Sequence, residues 1–221
     1  MSDRNISQPL ATFDPSGVGL ANGNFGGLPF DAETAELLLF SVPWDATVSY
    51  HAGTAQGPAQ ILAASTQVDL YDLDHPNGWQ QGIYMSPPPS WLATKNQAAR
   101  ASAQTVIAAT AQGIDPTRTP ELAAAIATVN AACETVNQWL YETAKRALQA
   151  GKRVGAIGGD HSIPLGLIRA LAEQYPTFGI VQIDAHADLR DAYQGFQYSH
   201  ASIMTNVLAL PQITQLVQVG V

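Results

Sequence analysis

The chain has 221 residues, of which 46% are hydrophobic and 13% charged, and its formal net charge is −8. This length suits one domain with a substantial core, and the acidic charge argues against nucleic acid or an anionic membrane as the main partner. The start of the chain carries no apolar signal segment, no apolar run could span a bilayer, and Cys133, the single cysteine, cannot form an intrachain disulfide. A cytoplasmic location is therefore predicted.

The first part of the chain is predicted to be an extension that leads into the domain. Residues 1–36 are rich in Gly, Asn and Pro, show no strand or helix period, and are assigned to an N-terminal extension. Residues 37–221 are assigned to one α/β domain. Its first strand is predicted at 37–42, and a helix is predicted from Pro58 to about residue 68. Turn signals between residues 74 and 95 predict a loop.

The second part of the chain alternates between helices and strands. An Ala-rich helix is predicted from Ala98 to Ala111, and a longer one from about Pro120 to Ala150, with Thr119 as its cap. The elements that follow are a strand at 154–157, a helix at 164–174, a strand at 179–184, a helix at 200–209 and a strand at 215–220. This order predicts a three-layer α/β/α fold with a mainly parallel sheet. Because no helix follows the last strand to cover it, the domain is expected to be C-terminally incomplete.

Two polar motifs come directly after predicted strands. Gly-Gly-Asp-His-Ser occupies residues 158–162, and Asp-Ala-His-Ala-Asp occupies residues 184–188. Because ligands collect at the carboxyl ends of strands in an open parallel sheet, the two motifs are expected to meet there. Carboxylates and neutral imidazoles that converge on one point suit a divalent transition metal.

The spacing suggests which side chains face the metal. In an extended segment alternate side chains point the same way. This spacing would direct Asp184, His186 and Asp188 toward the same pair of metal ions. His161 would approach from the neighbouring strand end. Asp160 would either bind metal or hold His161 through a hydrogen bond. Taken alone, the first motif could be a turn with a capping Asp and the second a solvated ion-pair cluster, but their shared position after strands favours a metal centre.

The other histidines differ in their predicted exposure. His200 lies at the start of a predicted helix, where Ser199 could simply be the helix cap. A histidine beside a metal-bound hydroxide can pass a proton to a leaving amine, and His200 is predicted to be catalytic in this way. His51 follows the first strand and could line the pocket, whereas His75 precedes a Pro-Asn-Gly turn and is predicted to be exposed.

These motifs resemble those of the ureohydrolase family, which includes arginase, agmatinase, formiminoglutamase and guanidine hydrolase. The resemblance extends over about residues 37–221 and includes the tract from Val42 to Pro58. It implies that four side chains bind two divalent metal ions, nickel or manganese: His161, Asp184, His186 and Asp188. The resemblance makes Asp184 the bridging ligand and places His200 at an active-site histidine, although Ala201 replaces the usual glycine after it.

The same resemblance implies a reaction and a substrate class. The loop at 46–51 and the stretch from Pro87 to about Thr119 are unlike a typical agmatinase and similar to guanidine hydrolases. Hydrolysis of a guanidino C–N bond with release of urea is therefore expected, with guanidine as the leading substrate and agmatine or another guanidino compound as the alternative. Thr47 would contact this small cationic substrate, unless its hydroxyl bonds its own backbone. Family members commonly form trimers or hexamers, which implies a homo-oligomer.

One departure from the family pattern limits these expectations. The family supplies two further aspartates, in a Ser-x-Asp-x-Asp pattern, and a later acidic residue that binds the guanidinium, and none of these occurs in the 221 residues. Four ligands shared by two ions leave an open centre, so this chain alone is expected to be inactive or feeble. The alternative class is a non-catalytic fragment that folds only within an oligomer or against a missing C-terminal half.

Overall fold

A computed structural model describes residues 12–221, so part of the predicted extension, residues 1–11, lies outside the described chain. The described part contains ten regular elements, in the order β1 (Leu37–Val42), α1 (Gly57–Ala64), β2 (Ile83–Ser86), α2 (Ser90–Ala111), α3 (Pro120–Gln149), β3 (Arg153–Gly158), α4 (Pro164–Gln174), β4 (Phe178–Ile183), α5 (Ile203–Leu208) and β5 (Ile213–Val219). Across the same residues, no helix is both long enough and apolar enough to cross a membrane.

The strands pair in parallel, and they form two sheets. β1 lies between β2 and β3, while β4 pairs with β5. The predicted α/β class is confirmed, but the described strands do not share one continuous hydrogen-bonded sheet. The sequence pattern indicates that a strand is buried but does not indicate which strands pair with each other. The division into two sheets was therefore not predicted. Val42 is opposite Gly158, so β1 and β3 end level with each other.

Each sheet packs its own apolar core against helices. Long helices α2 and α3 cover the first sheet, where the buried residues include Phe40, Trp44, Leu92 and Leu140. Helices α4 and α5 cover one face of the β4–β5 sheet through a second buried cluster: Leu165, Ile168, Ile203, Met204, Val207 and Ile213. The other face of that sheet is bare in the described chain, since Val181 is 70% and Ile183 is 83% exposed.

Three local predictions need correction. β2 lies inside the stretch predicted as a loop, because its four residues are too few for an alternating pattern to be recognised. Helix α2 begins at Ser90 and not at Ala98. Pro89 is its N-cap residue and has an extended backbone conformation. Thr119 precedes α3, but its side chain makes no capping hydrogen bond; its carbonyl oxygen accepts from the Ala123 amide instead.

The described part of the N-terminal extension packs against the β2 side of the first sheet. Leu28, Phe30 and Ala35 are buried there, in a cluster with Ile83 and Trp79 among its partly buried members. Phe13 also packs against this cluster, with its ring centroid 5.0 Å from that of Trp79, so the described part of the extension packs against the domain. Its assignment as a separate unit at residues 1–36 stays a prediction.

Candidate metal centre

The two motifs predicted to converge do meet. The Nδ1 atom of His161 lies 2.9 Å from a carboxylate oxygen of Asp184 and 2.7 Å from one of Asp188. One ligand atom from each of the three side chains lies within 4.8 Å of the other two. Since His161 follows β3 and the aspartates follow β4, the cluster joins the carboxyl ends of strands from both sheets.

The buried Gln182 and the partly buried Gln218 hold the loop that carries the aspartates. The side-chain amide of Gln182 donates to the carbonyl of His186 at 3.1 Å and to the Asp188 carboxylate at 3.4 Å. Gln218 donates to the side-chain oxygen of Gln182 at 2.6 Å and to the carbonyl of Ala187 at 2.7 Å. Sequence reasoning missed this pair. Its signal was available, because Gln182 and Gln218 interrupt two apolar strands and are opposite each other in register.

His186 is the one predicted ligand that the structure does not bring into the cluster. Its side chain is 82% exposed, and its Nδ1 atom lies 3.4 Å from Asp184. The expected alternation is wrong here, because residues 184–188 form a loop and not an extended strand. Asp188 adopts φ 55°, a left-handed conformation that turns its carboxylate back toward His161. The assignment of His186 as a ligand stays a prediction.

The charge state of Asp184 follows from its surroundings. Burial opposes ionisation of Asp184, but the amide of His186 and the nearby imidazoles of His161 and His186 outweigh it, so the pKa of Asp184 lies below its ordinary value. The carboxylate is therefore ionised at neutral pH, as a metal ligand must be.

Asp160 lies between β3 and His161 in the chain. It is 7% exposed, and its carboxylate accepts hydrogen bonds from the amide and hydroxyl of Ser162. Burial raises the pKa of Asp160, while the bonds from Ser162 and the proximity of His200 oppose that rise. Neither predicted role of Asp160, metal binding or a bond to His161, is among these contacts.

The sequence left two roles open for this segment, a helix cap at Ser199 and a catalytic side chain at His200. Ser199 forms a capping box with Ser202 at the start of the short 3₁₀ turn His200–Ser202, so the capping interpretation is confirmed. The His200 ring packs edge-on against Tyr193 at 5.8 Å, and its Nδ1 atom is 3.4 Å from the Ser199 hydroxyl. His51 and His75 are both exposed. The structure thus places His200 on a fixed backbone near Asp160, and its catalytic role stays a prediction.

Thr47 sits in the loop after β1, residues 43–56, named the β1 loop below. Its side chain is fully buried, and its hydroxyl donates to Asp160 at 3.4 Å. The alternative in which this hydroxyl bonds its own backbone is therefore not what the structure shows. Because Thr47 is covered, the described geometry gives it a contact with Asp160 and leaves its predicted contact with substrate untested.

The β1 loop is closed by Asp45, which is 5% exposed. One carboxylate oxygen accepts from the side-chain amide of Asn96 at 2.8 Å, and the other accepts from the amides of Gly53 and Ala55 at 3.0 and 3.4 Å. Burial alone would raise the pKa of Asp45, but these donors and the charge of Arg100 outweigh it, and the pKa lies below its ordinary value.

Replacing Asp45 by Asn is expected to lower the free energy of unfolding by about 2–3 kcal/mol at pH 7, because an amide group would face two backbone donors. A carboxyl with a lowered folded-state pKa stabilises the fold above its unfolded pKa and loses that effect as pH falls through the folded value. The difference between Asp45→Asn and wild type should therefore shrink below about pH 4 in denaturant titrations. Asp69→Asn, at an exposed site, is the control. A difference that is constant with pH would contradict the prediction.

The donor set of the cluster fits a divalent metal ion. It offers one imidazole nitrogen and carboxylate oxygens from two aspartates, a combination used by first-row metals such as manganese and nickel. The side chains of His161 and Asp184 are partly exposed, at 35% and 21%, whereas that of Asp188 is only 7% exposed. Fold and cluster together define an α/β protein with a candidate metal centre at the carboxyl ends of parallel strands.

Comparison with known proteins identifies the family. The chain belongs to the arginase family, whose model matches residues 35–221. It is 31% identical over 179 residues to the N(1)-aminopropylagmatine ureohydrolase of Synechocystis sp., an alignment that covers 80% of this chain and 48% of that protein. The chain thus spans about half the length of this curated relative.

Solved structures share the fold. Proclavaminate amidino hydrolase from Streptomyces clavuligerus superposes with a TM-score of 0.62 at 22% identity, covering 90% of this chain and 56% of the other. Formiminoglutamase from Trypanosoma cruzi with Mn²⁺ superposes with a TM-score of 0.57 at 16% identity, covering 85% and 53%. These likenesses agree with the predicted arginase-like α/β architecture.

Proposed function

We propose that the protein hydrolyses the C–N bond of a guanidino group and releases urea, at a site that holds two divalent metal ions. The observation that carries this proposal is the convergence of His161, Asp184 and Asp188 at the strand ends of an arginase-family chain. Bound ions would supply a hydroxide nucleophile near neutral pH and would stabilise negative charge on the reacting centre.

The chain's own side chains would hold and orient the reactants. His161, Asp184 and Asp188 would bind metal, and the two carboxylates would also attract the cationic guanidinium. His200 would donate a proton to the nitrogen that leaves as ammonia or an amine. Because the Nδ1 atom of His200 faces the Ser199 hydroxyl, the proton would leave from Nε2. The capping box at Ser199 fixes the backbone from which that ring extends.

Free guanidinium is the proposed substrate, supported by the likeness of the loop at 46–51 and of the stretch 87–119 to guanidine hydrolases. Agmatine and aminopropylagmatine are the second candidates, favoured by the name of the Synechocystis relative. The cluster suits both nickel and manganese, since imidazole and carboxylate ligands serve either ion.

The proposal is tested on the protein expressed from its complete reading frame. After removal of metal with a chelator, the protein is loaded with nickel or manganese, and urea is measured with guanidine, agmatine or aminopropylagmatine. We expect metal-dependent urea release from guanidine with a balance of one urea per ammonia. Urea from agmatine alone would replace the proposed substrate, and no urea from any guanidino compound with metal bound would overturn the proposed reaction.

The role of His200 makes a separate prediction. His200→Asn is expected to lower kcat by about 10²–10³-fold, because proton transfer to the leaving nitrogen would lose its donor. The substitution should leave metal content unchanged, since His200 is not in the ligand cluster. His75→Asn, at an exposed histidine, is the matched control and should retain full activity. A kcat equal to that of wild type would contradict the assignment.

A further inference from the structure

Helix α2 holds the β1 loop with two side chains one turn apart. Asn96 and Asp45 exchange two hydrogen bonds: the Asp45 amide donates to Asn96 at 3.0 Å, and Asn96 donates to the Asp45 carboxylate at 2.8 Å. One guanidinium nitrogen of Arg100 contacts three backbone carbonyls, those of Asp45 at 3.1 Å, Ala46 at 3.4 Å and Val48. The start of the loop is thus fixed by a helix remote from it in sequence.

The β1 loop, which Asn96 and Arg100 hold in place, contacts the turn that carries His161 at several points. At its start, the Trp44 carbonyl accepts from the Asp160 amide at 2.8 Å. In its middle, Thr47 donates to the Asp160 carboxylate. Just beyond its end, Gly57 packs so closely on Gly158 that an added Cβ would lie 2.7 Å from the Gly158 carbonyl. A shift of the β1 loop would therefore move one wall of the metal centre.

The base of the loop, residues 45–48, and its tip, residues 49–52, differ in their exposure to solvent. Residues 45–48 are buried, whereas Tyr50 is 80% exposed and stacks edge-on against the exposed His51 at 4.1 Å. His51 holds φ 51°, an uncommon conformation for a non-glycine residue, next to Gly53 at φ 126°. The tip is tied to the base of the loop by the Gly53 amide, which donates to the Asp45 carboxylate at 3.0 Å.

We propose that Arg100 and Asn96 are positioning residues that set substrate specificity, by holding the β1 loop in place against the turn at 158–161, which carries His161 of the metal cluster. This role rests on the proposed hydrolysis of guanidino compounds. Arg100 acts through backbone carbonyls, and not by touching substrate. Lysine at this position would keep the charge, but its Nζ atom would lie one bond short of the guanidinium nitrogen that contacts the three carbonyls.

The test uses Arg100→Lys in the protein expressed from its complete reading frame, with two readouts. Hydrogen exchange of amides 45–55 reports the loop itself and does not depend on activity; we expect it to accelerate about tenfold. The ratio of kcat/KM for the preferred guanidino substrate to that for the poorer one reports specificity, and we expect it to move toward one by about fivefold or more. A partly unfolded sample would lower kcat/KM equally for the two substrates and leave their ratio unchanged.

Arg118→Lys is the matched control, because the Arg118 side chain is 87% exposed and pairs only locally with Asp115. It should change neither readout. A double-mutant cycle with Thr47→Val asks whether the effect of Arg100 passes through the loop; the two substitutions together should then cost less than the product of their separate effects.

The outcomes separate this proposal from the proposed reaction. If Arg100→Lys leaves the exchange of amides 45–55 unchanged, Arg100 does not hold the β1 loop. If exchange is faster but the ratio of kcat/KM values is unchanged, holding the loop does not set substrate specificity. If the wild-type protein releases no urea from any guanidino compound, the proposed reaction fails and the specificity role falls with it. The exchange measurement still decides whether Arg100 holds the loop.

Discussion

Asp188→Asn is expected to reduce metal-dependent urea release by about a thousandfold or more while the protein stays folded. The Asp188 carboxylate lies 2.7 Å from His161 and belongs to the three-residue cluster. Replacing it with an amide removes a negative charge and an anionic ligand from the point where the two motifs meet. Because bound metal is held by so few groups from this chain, loss of one is expected to lower metal content as well.

The substitution is chosen because asparagine tolerates the backbone of Asp188. The residue has φ 55°, and Asn and Asp populate this left-handed region more readily than other non-glycine residues. The amide can also keep one contact with the neighbouring Gln182 side chain, which lies 3.4 Å from the carboxylate. We therefore expect a melting temperature close to wild type in the absence of metal.

Asp191→Asn provides the control, since it makes the same change of charge at an exposed position in the same loop. Metal per chain, urea release and thermal melting are measured for both variants. Full metal content and full activity in Asp188→Asn would show that this aspartate is not a ligand, and equal losses in both variants would indicate that loop charge alone matters.

The sequence predicted the location of the candidate metal centre because it depends on strand ends. Two apolar runs end at Gly158 and Ile183, and the polar residues after each run meet, although β3 and β4 belong to different sheets. The position of His186 could not be obtained in this way. Its exposure depends on the backbone of residues 184–188, and the decisive conformation at Asp188 is set by tertiary hydrogen bonds and not by local sequence.

The parts of the site that sequence reasoning missed all act across long sequence separations. Gln182 and Gln218 meet only because β4 and β5 pair in one register. Asn96 and Arg100 reach the β1 loop from more than fifty residues away, and on α2 they resemble ordinary polar residues of a helix. Polar residues at buried positions indicate such contacts, but burial itself is a property of the fold.

Gly159→Ala is expected to lower the free energy of unfolding by at least about 3 kcal/mol and to impair metal binding. A Cβ atom at this position would lie 2.0 Å from the Trp44 carbonyl oxygen and 2.9 Å from the Trp44 backbone nitrogen. No side-chain rotation relieves a contact with backbone, so the start of the β1 loop and the turn at 158–161 would have to move apart. That movement would break the bond from the Asp160 amide to the Trp44 carbonyl and displace His161, its neighbour in the chain.

The matched control for this effect is Gly78→Ala. An added Cβ there would have His75 as its nearest neighbour at 3.7 Å, an ordinary contact, and a change below about 0.5 kcal/mol is expected. Urea denaturation measures stability, and titration with manganese measures metal affinity in the same samples. If Gly159→Ala unfolds at the wild-type denaturant midpoint, the close approach of the two segments is not as described. If Gly159→Ala is destabilised but binds manganese with the wild-type affinity, the turn at 158–161 stabilises the fold but does not set the position of His161.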